Sequence, residues 1–184
     1  MKTVLICNQK GGSGKSTIAD NIAWSLERTN TPYNFYDLDG QGGVIHQTNE
    51  QPGAKVAVID TPGALQPELS KWIEAADCIV IPTKTTMLDV KPLQRMMEMV
   101  SKAKCPVIYV LNGWNRFRAA AGFEEWFSET VGKAVVVKVP QSEQIAQAAA
   151  YGVSVVDYAP KTPAGQAMLE VCNAVRKAIK LPEE

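Results

Sequence analysis

Long apolar runs are missing from this chain. Nowhere in its 184 residues does a hydrophobic stretch approach the roughly 18 residues of a membrane-crossing helix. A secretory leader is not evident either, because Lys2 is followed by only five apolar or small residues before Asn8. Net charge is absent: 19 basic residues balance 19 acidic ones, so any nucleic-acid binding must come from a local patch. No Cys-x-x-Cys pair occurs. The four cysteines, Cys7, Cys78, Cys105 and Cys172, stand singly in or beside apolar patterns, which argues against a disulfide framework and for buried thiols in a reducing compartment. Repeats and low-complexity tracts are missing too. What is left is an ordinary globular composition, 46% hydrophobic and 21% charged. The length suits one well-buried core and is short for two, so the expectation is one cytoplasmic domain over residues 1–184.

Short apolar runs alternate with longer helical patterns. Strands are expected at 3–8, 34–37, 55–60, 78–82, 106–112 and 134–139, with a weaker candidate at 153–156. Helices are expected at 16–28, 66–76, 87–103, 120–131, 142–151 and 163–180. Pro82, Pro106, Pro140 and Pro160 all fall at element borders, where helix breakers belong. Only the last four residues look like a loose tail. The alternation predicts an α/β fold: a doubly wound, mostly parallel sheet with helices on both faces and ligands at the strands' carboxyl ends.

The first strand runs into Gln9-Lys10-Gly11-Gly12-Ser13-Gly14-Lys15-Ser16-Thr17. The usual phosphate-loop pattern is G-x-x-x-x-G-K-[ST], between a strand and a helix. Here Gln9 occupies the first glycine's position. The physics survives, since Gly11, Gly12 and Gly14 let successive backbone N–H groups turn inward around an oxyanion, and the next helix points its positive end there. Lys15 is then the phosphate lysine and Ser16 a Mg²⁺ ligand. Lys10, at the loop's entrance, is a second lysine that one chain does not need; it reads either as a solvated side chain or as a contact to a second copy.

Two further segments end apolar runs with acids. Asp37 and Asp39 lie two apart on an extended segment, so both carboxylates share a face. Val56-Ala57-Val58-Ile59 delivers Asp60, followed by a Thr61-Pro62-Gly63 turn that could respond to a γ-phosphate.

Lys10 to Thr17 resembles the deviant Walker A box, K-G-G-x-G-K-[ST]-T, of the ParA/MinD superfamily. Asp37-Leu38-Asp39-Gly40-Gln41-Gly42 is similar to its D-x-D-P-Q-G box, with Gly40 in place of the family proline, and Val56–Gly63 resembles its Walker B segment. The resemblance implies a P-loop ATPase that binds ATP and Mg²⁺, forms an ATP-state homodimer and hydrolyses slowly under a partner's stimulation. It implies that Lys10 reaches the nucleotide across that dimer and that Asp39 orients the attacking water. It further implies Mg²⁺ contacts from Ser16, Asp37 and Asp60, and adenine contacts near Asn112 and Pro140. Only 20 residues separate Asp39 from Asp60, so this is a compact version.

A ParA-type partition ATPase on non-specific DNA is the leading branch, with a ParB-like or small DNA-binding adaptor as partner and a nucleoid location. From Lys84 to Arg118, seven basic residues face two acidic ones, and Lys84, Arg95, Arg116 and Arg118 are the candidate contacts; Arg176, Lys177 and Lys180 are the fallback. A MinD-like membrane cycle would need the apolar stripe of Met168, Leu169, Val171, Cys172, Val175, Ala178 and Ile179 to enter lipid, but that stripe lacks aromatics and suits the sheet better. A cluster-bridged iron-protein relative would need exposed cysteines. A nucleotide-gated adaptor with negligible hydrolysis stays open because of Gly40.

Overall fold

The computed structural model describes residues 1–40, 43–63, 67–115, 118–132 and 134–184, with only the backbone described for 118–120. Six parallel strands form one sheet: β1 (Lys2–Ile6), β2 (Tyr33–Asp37), β3 (Val56–Asp60), β4 (Cys78–Thr83), β5 (Val107–Trp114) and β6 (Val135–Pro140). Their order across the sheet is β2-β3-β1-β4-β5-β6. Among the described residues seven helices accompany them: α1 (Lys15–Arg28), α2 (Leu69–Ala75), α3 (Met87–Val100), α4 (Arg118–Val131), α5 (Glu143–Ala150), α6 (Val155–Tyr158) and α7 (Pro163–Ala178).

Residue alternation along the strands feeds two cores. Val4, Ile6, Val80, Ile108 and Val110 pack against Ile18, Ile22 and Leu26 of α1 and Met168, Val171 and Val175 of α7. Their neighbours Leu5, Ile79, Ile81, Tyr109 and Leu111 point the other way, to Leu93 and Met96 of α3 and Phe123 and Phe127 of α4. A strand buried on both faces reads as a continuous apolar run, which is why these segments were visible in sequence. The chain's connections run to opposite sides of the β1–β4 pair, leaving a crevice outside their carboxyl ends.

Three sequence expectations need correction. Residues 153–156 form no strand. Ser154 instead caps α6, its Oγ accepting from Val156 N at 3.1 Å and donating to the buried Asn21 Oδ1 at 2.8 Å. The last residues are tied down rather than loose: Arg28 Nε donates to Glu184 at 2.7 Å, and Arg176 Nε to the Pro182 carbonyl at 2.5 Å. Arg176 is therefore 3% exposed and leaves the fallback DNA surface. The apolar stripe of α7 faces the sheet, with Met168, Val171, Cys172, Val175 and Ile179 all buried. Among the described residues no helix is long and apolar enough to cross a membrane.

Candidate functional site

β1 ends at Ile6 and α1 begins at Lys15, so Cys7 to Gly14 form the loop between them. Three neighbours brace this loop. Asn8 Nδ2 donates to the Pro82 carbonyl of β4 at 2.7 Å, and its Oδ1 accepts from Lys10 N at 3.1 Å. Asn112, on β5, donates to the Ser13 carbonyl at 2.9 Å. Gly14 adopts φ +97°, and a Cβ there would stand 1.9 Å from Asn112 Nδ2, so glycine is required twice over at this position. The Pro62-Gly63 turn after β3 rests on the loop's other side, near Gly11.

Gly11, Gly12, Gly14, Lys15, Ser16 and Thr17 line a cleft of about 880 Å³ at the carboxyl ends of the strands. Lys15 is 4% exposed and Ser13 is fully buried. Behind Ser16 lies Asp60, also fully buried, whose Oδ2 accepts from Ser16 Oγ at 2.7 Å. Burial pushes the Asp60 carboxyl up to about 6, against the opposing pull of the Ser16 hydrogen bond and the Lys15 charge. Its Oδ1 has no hydrogen-bond partner among the described residues. An unpaired buried carboxylate oxygen beside a serine hydroxyl fits the outer shell of a hard cation, which takes few protein ligands and keeps its waters. Among the described residues no three of His, Cys, Asp and Glu converge on a metal, as a protein-only cage would require.

Asp37 sits beside Asp60 in the β2–β3 register. Its Oδ1 accepts from Asp39 N at 2.9 Å, so it shapes the turn that carries Asp39 into the cleft lining. Gly40 has φ +61°, a conformation closed to proline. The departure from the family's D-x-D-P-Q-G box is thus a different backbone path; Gln41 and Gly42 lie outside the described residues. Farther along, Asp20 of α1 clasps the segment through Ile45 N at 2.9 Å, His46 N at 3.0 Å and His46 Nδ1 at 2.7 Å. The His46 ring stacks on Phe35 and meets Trp24 edge-on. This clasp escaped the sequence reading, because nothing local ties Asp20 to the chain's one histidine.

Pro140, Gln141, Ser142, Ile145, Ala146 and Ala149 also line the cleft. Asn112 lines the same cleft, with its amide engaged on the phosphate loop.

Lys10, read from the sequence as either a solvated side chain or a contact to a second copy, meets a carboxylate of its own chain. Its Nζ lies 2.7 Å from Oδ1 of Asp89, which is 1% exposed at the start of α3. Lys84, which the charge pattern counts with the basic patch, lines the cleft, because β4 ends beside the phosphate loop. Its position right after a strand's carboxyl end was the overlooked signal. Arg95 and Lys91 are exposed on α3. Arg116 lies outside the described residues, as does the side chain of Arg118.

Residues 4–155 match the family model described as the CobQ/CobB/MinD/ParA nucleotide binding domain. An uncharacterised ATP-binding protein of Methanocaldococcus jannaschii is 29% identical over 144 residues, covering 78% of this chain and 54% of its own length. The maintenance of carboxysome distribution protein A of Gloeobacter kilaueensis is 31% identical over 129 residues, covering 57% of this chain and 58% of its own length. The chain thus spans little more than half the length of these curated relatives. Among solved structures, a Cyanothece McdA variant in complex with ATP superposes with a TM-score of 0.78 at 17% identity, covering 100% of this chain and 98% of that one.

Proposed function

The chain belongs to the CobQ/CobB/MinD/ParA nucleotide-binding family, and from that premise we propose that it is a positioning ATPase. It binds Mg²⁺-ATP in the cleft, pairs with a second copy in the ATP state, and hydrolyses slowly until an adaptor stimulates it. The observation that carries this reading is the convergence of Lys15, Ser16, Asp60 and Asp39 around one glycine-rich loop. Lys15 sets positive charge against the β- and γ-phosphates, and backbone N–H groups of the loop complete the cradle. Ser16 and, through water, Asp60 would hold Mg²⁺, which neutralises phosphate charge when bound. Asp39, in the same cleft lining, orients the attacking water. Lys10 serves the partner's nucleotide, and to do so it must leave Asp89.

The cargo reading draws on DNA. Lys91, Arg95, Lys102 and Lys104 are exposed on and just after α3. A dimer doubles such a patch, so binding to duplex is expected to be ATP-dependent, indifferent to sequence and steep in salt, each neutralised phosphate adding roughly −0.9 to the slope of log K against log salt. The cargo is a plasmid, a chromosome region or a protein compartment, the last in keeping with the Gloeobacter relative's name. The membrane alternative loses its best segment, because the apolar face of α7 is already covered by the sheet.

Light scattering with Mg²⁺-ATP and with Mg²⁺-ADP, followed by filter binding of unrelated duplexes across a salt series, tests the proposal. A dimer in ATP alone that retains every duplex equally is the expected result. A monomer in both nucleotides would overturn the dimer. A dimer that ignores DNA would move the cargo reading to a protein scaffold or a membrane.

A further inference from the structure

Two lysines besides Lys15 stand near the cleft, and their surroundings differ. Lys10 is neutralised by Asp89 at 2.7 Å. Lys84 has no carboxylate within ion-pair distance among the described residues. It follows the carboxyl end of β4, between β1, which leads into the phosphate loop, and β5, which carries Asn112 and Gly113. Its side chain runs along the backbone of Gly113: a Cβ there would stand 3.0 Å from Lys84 Nζ and 3.6 Å from Cδ. The bare glycine thus leaves the groove in which the lysine's stem lies. The residue is half-buried and lines the same cleft as Gly11, Gly12 and Lys15.

A partly buried ammonium in a cleft that already holds the buried Lys15 is electrostatically unfavourable until an anion enters. With no acid supplied by the fold, the ligand is the natural counter-ion. We propose that Lys84 binds the polyphosphate of a nucleotide held by its own chain, as a second phosphate cation contributed from β4. The proposal rests on the nucleotide-site reading above and adds to it a residue outside the glycine-rich loop. It also removes Lys84 from the DNA surface, where its charge count alone had put it.

The test compares wild type, Lys84→Gln and Lys84→Arg by calorimetry with Mg²⁺-ATP, Mg²⁺-ADP and adenosine, together with duplex binding in ATP. Loss of one charge-assisted contact predicts about a tenfold weaker Kd for ATP and ADP in Lys84→Gln, with most of the loss restored by Lys84→Arg. Adenosine affinity is expected to stay unchanged, and the unliganded melting temperature of Lys84→Gln to hold or rise slightly, since an uncompensated charge is removed. ATP and ADP affinities equal to wild type would overturn the proposal, and doubly so if duplex binding fell, since that returns Lys84 to the DNA surface. An equal loss for adenosine would overturn the phosphate assignment in favour of a nucleoside contact. If wild type itself bound neither ATP nor ADP, the nucleotide-site reading would fall and this proposal with it, a result distinct from a variant that matches a binding-competent wild type.

Discussion

The phosphate loop and the turn carrying Asp39 face one cleft, yet the fold holds them by different means. The loop is gripped from three strands: Asn8 reaches β4, Asn112 reaches in from β5, and the Pro62-Gly63 turn presses from β3. The Asp39 turn hangs from the edge strand β2, where Leu38 N donates to the Asp60 carbonyl of β3 and Asp39 N to its own neighbour Asp37. Leu38 is 39% exposed there, and Gly40 takes a left-handed backbone. The Asp20 clasp holds only the farther part of the segment. The difference teaches that the glycine-rich loop is preformed, whereas the Asp39 side of the cleft, to which the proposed function gives the attacking water, depends on a separately anchored segment. Binding and hydrolysis should therefore be separable by mutation.

Lys15→Ala should have the largest effect. It removes the buried cation of the preformed half, and calorimetry is expected to show Mg²⁺-ATP affinity lowered by at least about a hundredfold, since a charge-assisted phosphate contact in a dry cradle is lost. Retention of near-wild-type affinity would break the comparison at its stronger side. Asp39→Ala tests the other half. ATP affinity is expected to stay within about threefold while phosphate release falls by at least about tenfold and the ATP dimer persists. A parallel loss of binding would show that the two regions are not independent.

Asp20→Ala sharpens the comparison from outside the cleft. The substitution leaves two backbone N–H groups and the His46 ring without their acceptor, a loss on the order of 2–3 kcal/mol. The melting temperature is expected to drop by about 5 °C or more, turnover to fall, and nucleotide affinity to move less than about twofold. A larger loss of affinity than of turnover would contradict the assignment of this clasp to the hydrolytic side.

The smallest effect on the unliganded protein concerns Asp60. Its folded pKa, about 6, lies above the ordinary 3.8, so the unliganded fold holds the proton more tightly than the unfolded chain does. Stability from this group is fully present below about pH 4 and is lost as pH rises through about 6. Asp60→Asn should consequently raise the unliganded melting temperature by a few degrees at pH 7.5, on the order of 2 kcal/mol, and leave it unchanged near pH 4. The same variant should lose the stabilisation that Mg²⁺-ATP gives wild type. No gain at pH 7.5 would mean that burial does not strain the ionised carboxylate.

Local chemistry was enough for the parts whose meaning lies in adjacent residues. The strand pattern, the glycine spacing ahead of Lys15-Ser16 and the acids ending β2 and β3 are short-range features, dictated by backbone conformation and period-two burial. From these the parallel sheet, the phosphate loop and the places of Asp39 and Asp60 could be read. Residues 153–156 misled because an apolar pair beside a serine suits a strand or a capped turn equally, and only the Asn21 hydrogen bond, 133 positions away in the chain, settles it. Contacts between distant segments were set by the way β4 and β5 flank β1. That packing tied Lys10 to Asp89, turned Lys84 from a surface charge into a wall of the cleft, and put Asn112 under Gly14. A residue's type and spacing determine what it can do, whereas the partner it meets is fixed by which strand ends share a crevice, and that is a property of the whole sheet.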